Sequence, residues 1–134
     1  KEFDRPFFVT NCDTVIDADY FDLYNFHKSS DFKITIAASM KQFTIPFGTC
    51  NLNGEGHLER INEKPEFNFL LNTGLYVLSP DIISLIPKNV FYNLTDLIDD
   101  IKKKGLKVGV YPISESSWID VGQWSEYHKA VEKL

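Results

Sequence analysis

Four short runs in this chain combine side chains able to hold a divalent cation, a phosphate or a sugar hydroxyl. Asn11-Cys12-Asp13 follows the apolar run Phe7-Phe8-Val9. A carboxylate just after a buried strand suits a hard cation, which prefers oxygen ligands, although Asp13 can equally start a turn. Trp118-Ile119-Asp120-Val121-Gly122 sets a second carboxylate between apolar neighbours and ahead of a flexible glycine. Asp120 is then either a second metal ligand or the cap of a helix from Gln123. In Glu63-Lys64-Pro65 the ammonium suits a phosphate and the carboxylate a sugar hydroxyl; the alternative is a solvated ion pair at a strand end. Asn72-Thr73-Gly74 offers an amide that both donates and accepts, beside a glycine that lets a ligand approach the backbone. Pro46-Phe47-Gly48 is a weaker signal, and by itself reads as a strand-edge turn.

The elements that must position these groups follow from periodicity. Pro6 to Thr10 reads as a buried strand. Asp19 caps a helix to about Ser29, with Tyr20, Leu23, Tyr24 and His27 on one face. Strands are expected at Lys33 to Ser39, Thr73 to Leu78 and Lys107 to Pro112. Phe47 to Leu52 and His57 to Asn62 flank Asn53-Gly54-Glu55-Gly56 as a hairpin. Pro80 opens a short helix to Ile86. Thr95 is expected to cap a second helix that ends at Gly105, with Leu97, Ile98 and Ile101 on its apolar side. Asn93-Leu94-Thr95 also fits a glycosylation sequon, but reads as a loop ending in a helix cap. Gln123 to Leu134 spaces Trp124, Tyr127, Val131 and Leu134 as a last helix. Strands alternating with helices indicate one α/β domain with a mixed, mostly parallel sheet and flanking helices.

The composition narrows the function. The chain has 134 residues, 43% of them hydrophobic and 14% aromatic, which is enough for one globular core. A net charge of −5, with Lys102-Lys103-Lys104 the only short basic run, argues against a nucleic-acid surface. Cys12 and Cys50 are too few for a disulfide framework and lack zinc-site spacing, which points to a reducing cytoplasm. No apolar stretch approaches the roughly 18 residues of a membrane span, and Lys1 to Arg5 is no signal peptide. The chain does not begin with Met, so it is expected to be a piece of a longer protein. His27, His57 and His128 read as surface or helix-face residues rather than ligands.

Taken in order, the four runs resemble the nucleoside-diphosphate-sugar pyrophosphorylases, or sugar nucleotidyltransferases, over nearly the whole chain. The resemblance implies a Rossmann-like, glycosyltransferase-A-like fold, of which residues 1–134 are the C-terminal half and the N-terminal part is missing. It implies that Asp13 and Asp120 hold Mg2+. Glu63 and Lys64 would contact the sugar and its phosphate, Asn72, Thr73 and Gly74 a hexose hydroxyl, and Gly48 the sugar through its backbone. The implied reaction is attack of a sugar 1-phosphate on the α-phosphorus of a nucleoside triphosphate, giving a nucleotide sugar and pyrophosphate. Positioning and charge neutralisation then do most of the work, and no side-chain nucleophile is needed.

Two departures stand out. Cys12 occupies the place of the family's glycine before the metal Asp. The family's opening Gly-rich loop with Gly-Thr-Arg, and its later Lys-Pro, are not in the chain; Gly54-Glu55-Gly56 reads as a turn. The isolated chain is therefore expected to be inactive, and to associate with itself through faces that the other half would cover. The variant motifs are similar to a bacterial subgroup in which the transferase follows a pair of CBS domains, which implies guanylyl transfer to an amino-sugar phosphate for nonulosonic-acid pathways and bacterial surface polysaccharide. Two other classes stay open: a non-catalytic sugar-phosphate-binding or regulatory subunit, and a metal-dependent glycosyltransferase. The last would usually show Asp-x-Asp where Asn11-Cys12-Asp13 stands.

Overall fold

The computed structural model describes residues 3–122. The helix expected over Gln123 to Leu134, and His128 with it, lies outside the described residues. In chain order the elements are β1 (Phe7–Thr10), β2 (Thr14–Ile16), α1 (Tyr20–Ser29), β3 (Phe32–Thr44), β4 (Thr49–Leu52), β5 (Leu58–Asn62) and β6 (Glu66–Leu78). A 3-10 helix (Pro80–Leu85), α2 (Leu94–Lys103), β7 (Lys107–Ile113), a 3-10 turn (Glu115–Ser117) and β8 (Trp118–Asp120) complete them.

The main sheet has the order β1-β6-β3-β7. β6 runs antiparallel to both β1 and β3, while β3 and β7 are parallel. β1, β3 and β7 therefore point the same way and end at one edge of the sheet. The sheet is mixed, as expected, but the expected predominance of parallel pairs is corrected. β6 lies between β1 and β3, so two of the three pairings are antiparallel. β2 with β8, and β4 with β5, form separate two-stranded sheets.

Alternation along the central strands explains the two-sided core. Ile34, Tyr76 and Leu78 join Ile82, Leu97 and Ile101 on the α2 side. Ala37, Leu75 and Val77 meet Leu23 of α1 on the other side. A strand covered on both faces needs apolar residues at successive positions, which is why Leu75-Tyr76-Val77-Leu78 is continuous. β1 differs from its expectation: it is an edge strand whose residues are half-buried or exposed. Phe7 and Val9 pack on the α2-side core, whereas Phe8 turns to Tyr20 and Tyr24.

Asp19 caps α1 by accepting the Asp22 amide at 2.9 Å. α2 begins at Leu94, because Asn93, two residues before the expected Thr95, takes the cap position and Asp96 accepts its backbone N–H at 3.1 Å. Gly105, with φ +73°, closes that helix as expected. β3 and β6 each run for 13 residues, longer than their apolar cores suggested. Beyond Ser39, where β7 stops, they continue as a two-stranded ribbon carrying the cluster Phe43, Phe67 and Phe69. Among the described residues no helix is long and apolar enough to cross a membrane.

His27 is buried rather than on the surface, and it ties three elements together. Its Nδ1 lies 2.8 Å from Thr35 Oγ1 and its Nε2 3.0 Å from Ser79 Oγ. The Ser79 hydroxyl donates to the Phe32 carbonyl at 3.3 Å, so it accepts from Nε2–H and leaves Nδ1 to accept from Thr35. Burial, helped by nearby Lys33, pushes the His27 pKa below its ordinary value. The unfolded chain therefore binds this proton more readily, and stability falls as pH drops below about 6.5. Urea titrations at stepped pH should show that loss between pH 7 and 5 in the wild type. The His27→Gln chain should be less stable at pH 7 and lack this part of the slope.

Candidate functional site

A cleft of about 250 Å³ opens where β1 ends and β8 begins, lined by Asn11, Asp13, Thr14, Asn72, Thr73, Gly74, Tyr76, Trp118 and Asp120. Two of the four sequence-predicted runs supply its carboxylates and a third its amide. Asp13 leads into β2 and Asp120 ends β8, and these strands pair antiparallel with Thr14 opposite Asp120. The Val121 amide donates to the Asp13 carbonyl at 3.0 Å, extending the ladder by one bond.

The carboxylates converge on Gly122. A Cβ there would lie 3.1 Å from Asp120 Oδ1 and 3.2 Å from Asp13 Oδ2. The Gly122 N–H donates to Asp120 Oδ1 at 3.0 Å, which holds that carboxylate in place. Among the described residues neither carboxylate has an ion-pair partner. No third His, Cys, Asp or Glu among the described residues joins them there. Two carboxylates brought together beside Gly122, without an ion-pair partner among the described residues, fit a hard cation that completes its shell with water and phosphate oxygens, as Mg2+ does.

Asn72-Thr73-Gly74 forms a bulge. Ile36 pairs with Tyr76 but Ala38 with Asn72, so three residues of β6 face Ala37 alone. The Thr73 hydroxyl donates to the Ala37 carbonyl at 2.8 Å, satisfying a group that the ladder leaves out. Thr73 is 3% exposed, so its hydroxyl serves the bulge rather than pointing at solvent. Gly74 has φ +80°, and a Cβ there would meet Asn11 Nδ2 at 2.7 Å. Asn72 accepts from the Gly74 N–H at 3.1 Å and donates to the Tyr76 hydroxyl at 2.7 Å, so its amide is oriented before any ligand arrives.

Glu63, Lys64 and Gly48 are not in this cleft. They sit at the far end of the β3–β6 ribbon, where the Ile45 amide bonds the Pro65 carbonyl at 3.1 Å. Six residue pairs, from Ser39–Leu71 to Thr44–Glu66, separate them from Asn72, roughly 20 Å of strand at ~3.3 Å per residue. They do form a group of their own. A Cβ on Gly48 would lie 2.9 Å from Glu63 Oε2. Lys64 has φ 44°, the left-handed region that a lysine rarely adopts.

Sequence reasoning assigned no role to Asn11, Thr14, Tyr76 or Trp118. Tyr76 was within reach, since Gly74 and Tyr76 stand two apart on a strand and share a face. Thr14 and Trp118 lie 104 residues apart and carried no signal. Cys12 is exposed and does not line the cleft.

The nucleotidyl transferase family model matches residues 1–134. A mannose-1-phosphate guanyltransferase of Debaryomyces hansenii is 31% identical over 135 residues, covering 95% of this chain and 36% of that protein. A UTP–glucose-1-phosphate uridylyltransferase of Synechocystis is 27% identical, covering 96% and 35%. Among solved structures, HddC from Yersinia pseudotuberculosis superposes with a TM-score of 0.63 at 26% identity, covering 96% of this chain and 55% of that one. The chain thus spans about a third of the length of these curated relatives.

The bulge geometry predicts the effect of one methyl group. Gly74→Ala combines a left-handed φ with the contact to Asn11 and should cost roughly 1–3 kcal/mol in urea unfolding. Adding Asn11→Ala should recover most of the steric part, since only the Asn11 Cβ contact at 3.2 Å stays, and leave the backbone part.

Proposed function

As this chain belongs to the nucleotidyl transferase family, we propose that it forms the cation and sugar-phosphate half of a domain that joins a nucleoside triphosphate to a sugar 1-phosphate. The observation that carries this reading is the convergence of Asp13 and Asp120 on Gly122 beside the oriented amide of Asn72. A sugar-phosphate oxygen attacks the α-phosphorus; the new P–O bond forms as the α–β bridge breaks, and pyrophosphate leaves in line. A Mg2+ held by Asp13 and Asp120 would supply positive charge to the α-phosphate and the leaving oxygens. Asn72 orients a sugar hydroxyl, and Thr73 and Gly74 hold Asn72 in place through the bulge.

In this proposal Lys64 binds the acceptor phosphate, Glu63 a sugar hydroxyl, and Gly48 contacts the sugar through its backbone beside Glu63. It requires the hairpin end of the ribbon to approach the carboxylates. Among the described residues the ribbon has no third strand beyond Ser39, and an unsupported two-stranded sheet bends at low cost. The strained backbone of Lys64 further supports a binding role.

Guanylyl transfer is the proposed specificity, supported by similarity to mannose-1-phosphate guanyltransferases, with an amino-sugar phosphate as acceptor on the motif resemblance. The cytoplasm is the proposed compartment, in keeping with two exposed free cysteines.

The whole protein should release pyrophosphate from a triphosphate only with a sugar 1-phosphate and a divalent cation. Asp13→Ala and Asp120→Ala should each abolish turnover without loss of fold. Lys64→Met should raise acceptor KM far more than triphosphate KM, and equal losses would exclude the assigned role. Sugar-phosphate binding without turnover under any triphosphate would instead mark a binding subunit.

The isolated chain is also proposed to self-associate. Phe43, Phe67 and Phe69 of the ribbon, and Phe47, Leu52, Leu58 and Ile61 of the hairpin, are all exposed. Light scattering at micromolar concentration should report dimers or larger species, and a monodisperse monomer would refute it.

A further inference from the structure

We infer that Thr14 is a positioning residue whose hydroxyl sets the register of β2 against β8, and so the approach of Asp13 to Asp120. The inference rests on reading that carboxylate pair as a cation site. β2 and β8 form a sheet of their own with only three register pairs, Thr14–Asp120, Val15–Ile119 and Ile16–Trp118. So short a ladder is weakly held by its backbone bonds alone. A slip of one residue would shift Asp120 about 3.3 Å along β2 and reverse its face relative to Thr14, and so change how its carboxylate stands to that of Asp13 beside Gly122.

The Thr14 side chain closes the ladder on this register. Its Oγ1 accepts the Trp118 indole N–H at 2.8 Å and makes a longer contact, 3.5 Å, to the Ile119 carbonyl. The two roles are compatible, since a hydroxyl has one proton to give and lone pairs to receive. Trp118 reaches Thr14 diagonally, from its place opposite Ile16. Flanking bonds from Val121 to the Asp13 carbonyl and from Asp17 to the Ser117 carbonyl use backbone that any sequence provides. The Thr14–Trp118 bond depends on residue type. Neither residue needs to touch the cation; together they fix where its two ligands stand.

Mn2+, which takes the same oxygen ligands, is the probe. On the full chain its paramagnetic broadening should be strongest at the amides of Asp13, Asp120 and Gly122, and should vanish in Asp13→Asn and Asp120→Asn. Thr14→Val keeps the shape of the side chain but removes the hydroxyl. It should raise the Mn2+ midpoint about tenfold, the size of loss usual when a ligand's support is removed. Thr14→Ser should return the midpoint to the wild-type value. Trp118→Phe removes the indole donor and should match Thr14→Val; it decides the matter if Thr14→Val gives an unfolded amide spectrum. Wild-type midpoints in Trp118→Phe or in a folded Thr14→Val, or failure of Thr14→Ser to rescue, would overturn the inference while the cation reading stands. Mn2+ broadening that is absent from the wild type, or survives in the Asp variants, would instead overturn the cation reading.

Discussion

The pairing of β2 with β8 is the constraint on which the candidate site depends. Asp13 follows β1 and Asp120 follows β7, and those strands are the two outer members of the sheet β1-β6-β3-β7. Their side chains meet because β1, β3 and β7 all finish at the same end, and because the chain after each outer strand turns inward and forms a short antiparallel pair across that end. Open α/β sheets bind ligands at the ends of their strands for this reason: loops from separate strands converge there. Here the convergence is made by backbone hydrogen bonds and one side-chain bond, and the charged groups are carried along with them.

The second dependence runs through the bulge in β6. An uninterrupted β3–β6 ladder would place Gly74, not Asn72, opposite Ala38. The bulge moves the register by two residues between Ile36–Tyr76 and Ala38–Asn72. It orients the Asn72 side-chain amide toward Tyr76 and brings the Gly74 backbone against Asn11, whose backbone N–H donates to the Gly74 carbonyl at 3.0 Å. The cost is a left-handed residue and a carbonyl outside the ladder. Glycine answers the first and the Thr73 hydroxyl the second. Thr73 thus contributes by holding the backbone, a role that a list of polar residues does not distinguish from ligand contact.

His27 shows the same kind of dependence inside the core. It shares a helix face with Leu23, so spacing turns it toward the core, but spacing does not say what would satisfy its ring nitrogens there. That follows from the third dimension, where Thr35 and Ser79 arrive from β3 and from the end of β6 to satisfy both ring nitrogens. A buried imidazole with both partners neutral is held uncharged, which links the stability of α1 to pH.

The elements with a strong local pattern were legible in the sequence: the Asp19-capped helix, the hairpin around Asn53-Gly54-Glu55-Gly56, the continuous apolar strand at Leu75 to Leu78, and the Gly105 helix stop. Caps, tight turns and alternation involve neighbours a few residues apart, so their physics is written in adjacent letters. Motif order was legible too, and it sufficed to identify the family. The tertiary structure alone decided three other matters: that β6 enters between β1 and β3, that β1 is an edge strand, and that β3 and β6 outrun their apolar cores as a ribbon. It also divided the chemistry, gathering Asp13, Asp120 and Asn72 into one cleft while leaving Gly48, Glu63 and Lys64 at the ribbon's end. These outcomes depend on register and on pairing between segments far apart in the chain. No residue's own conformational preference specifies either, because the free energy that selects a partner strand comes from the whole face it buries.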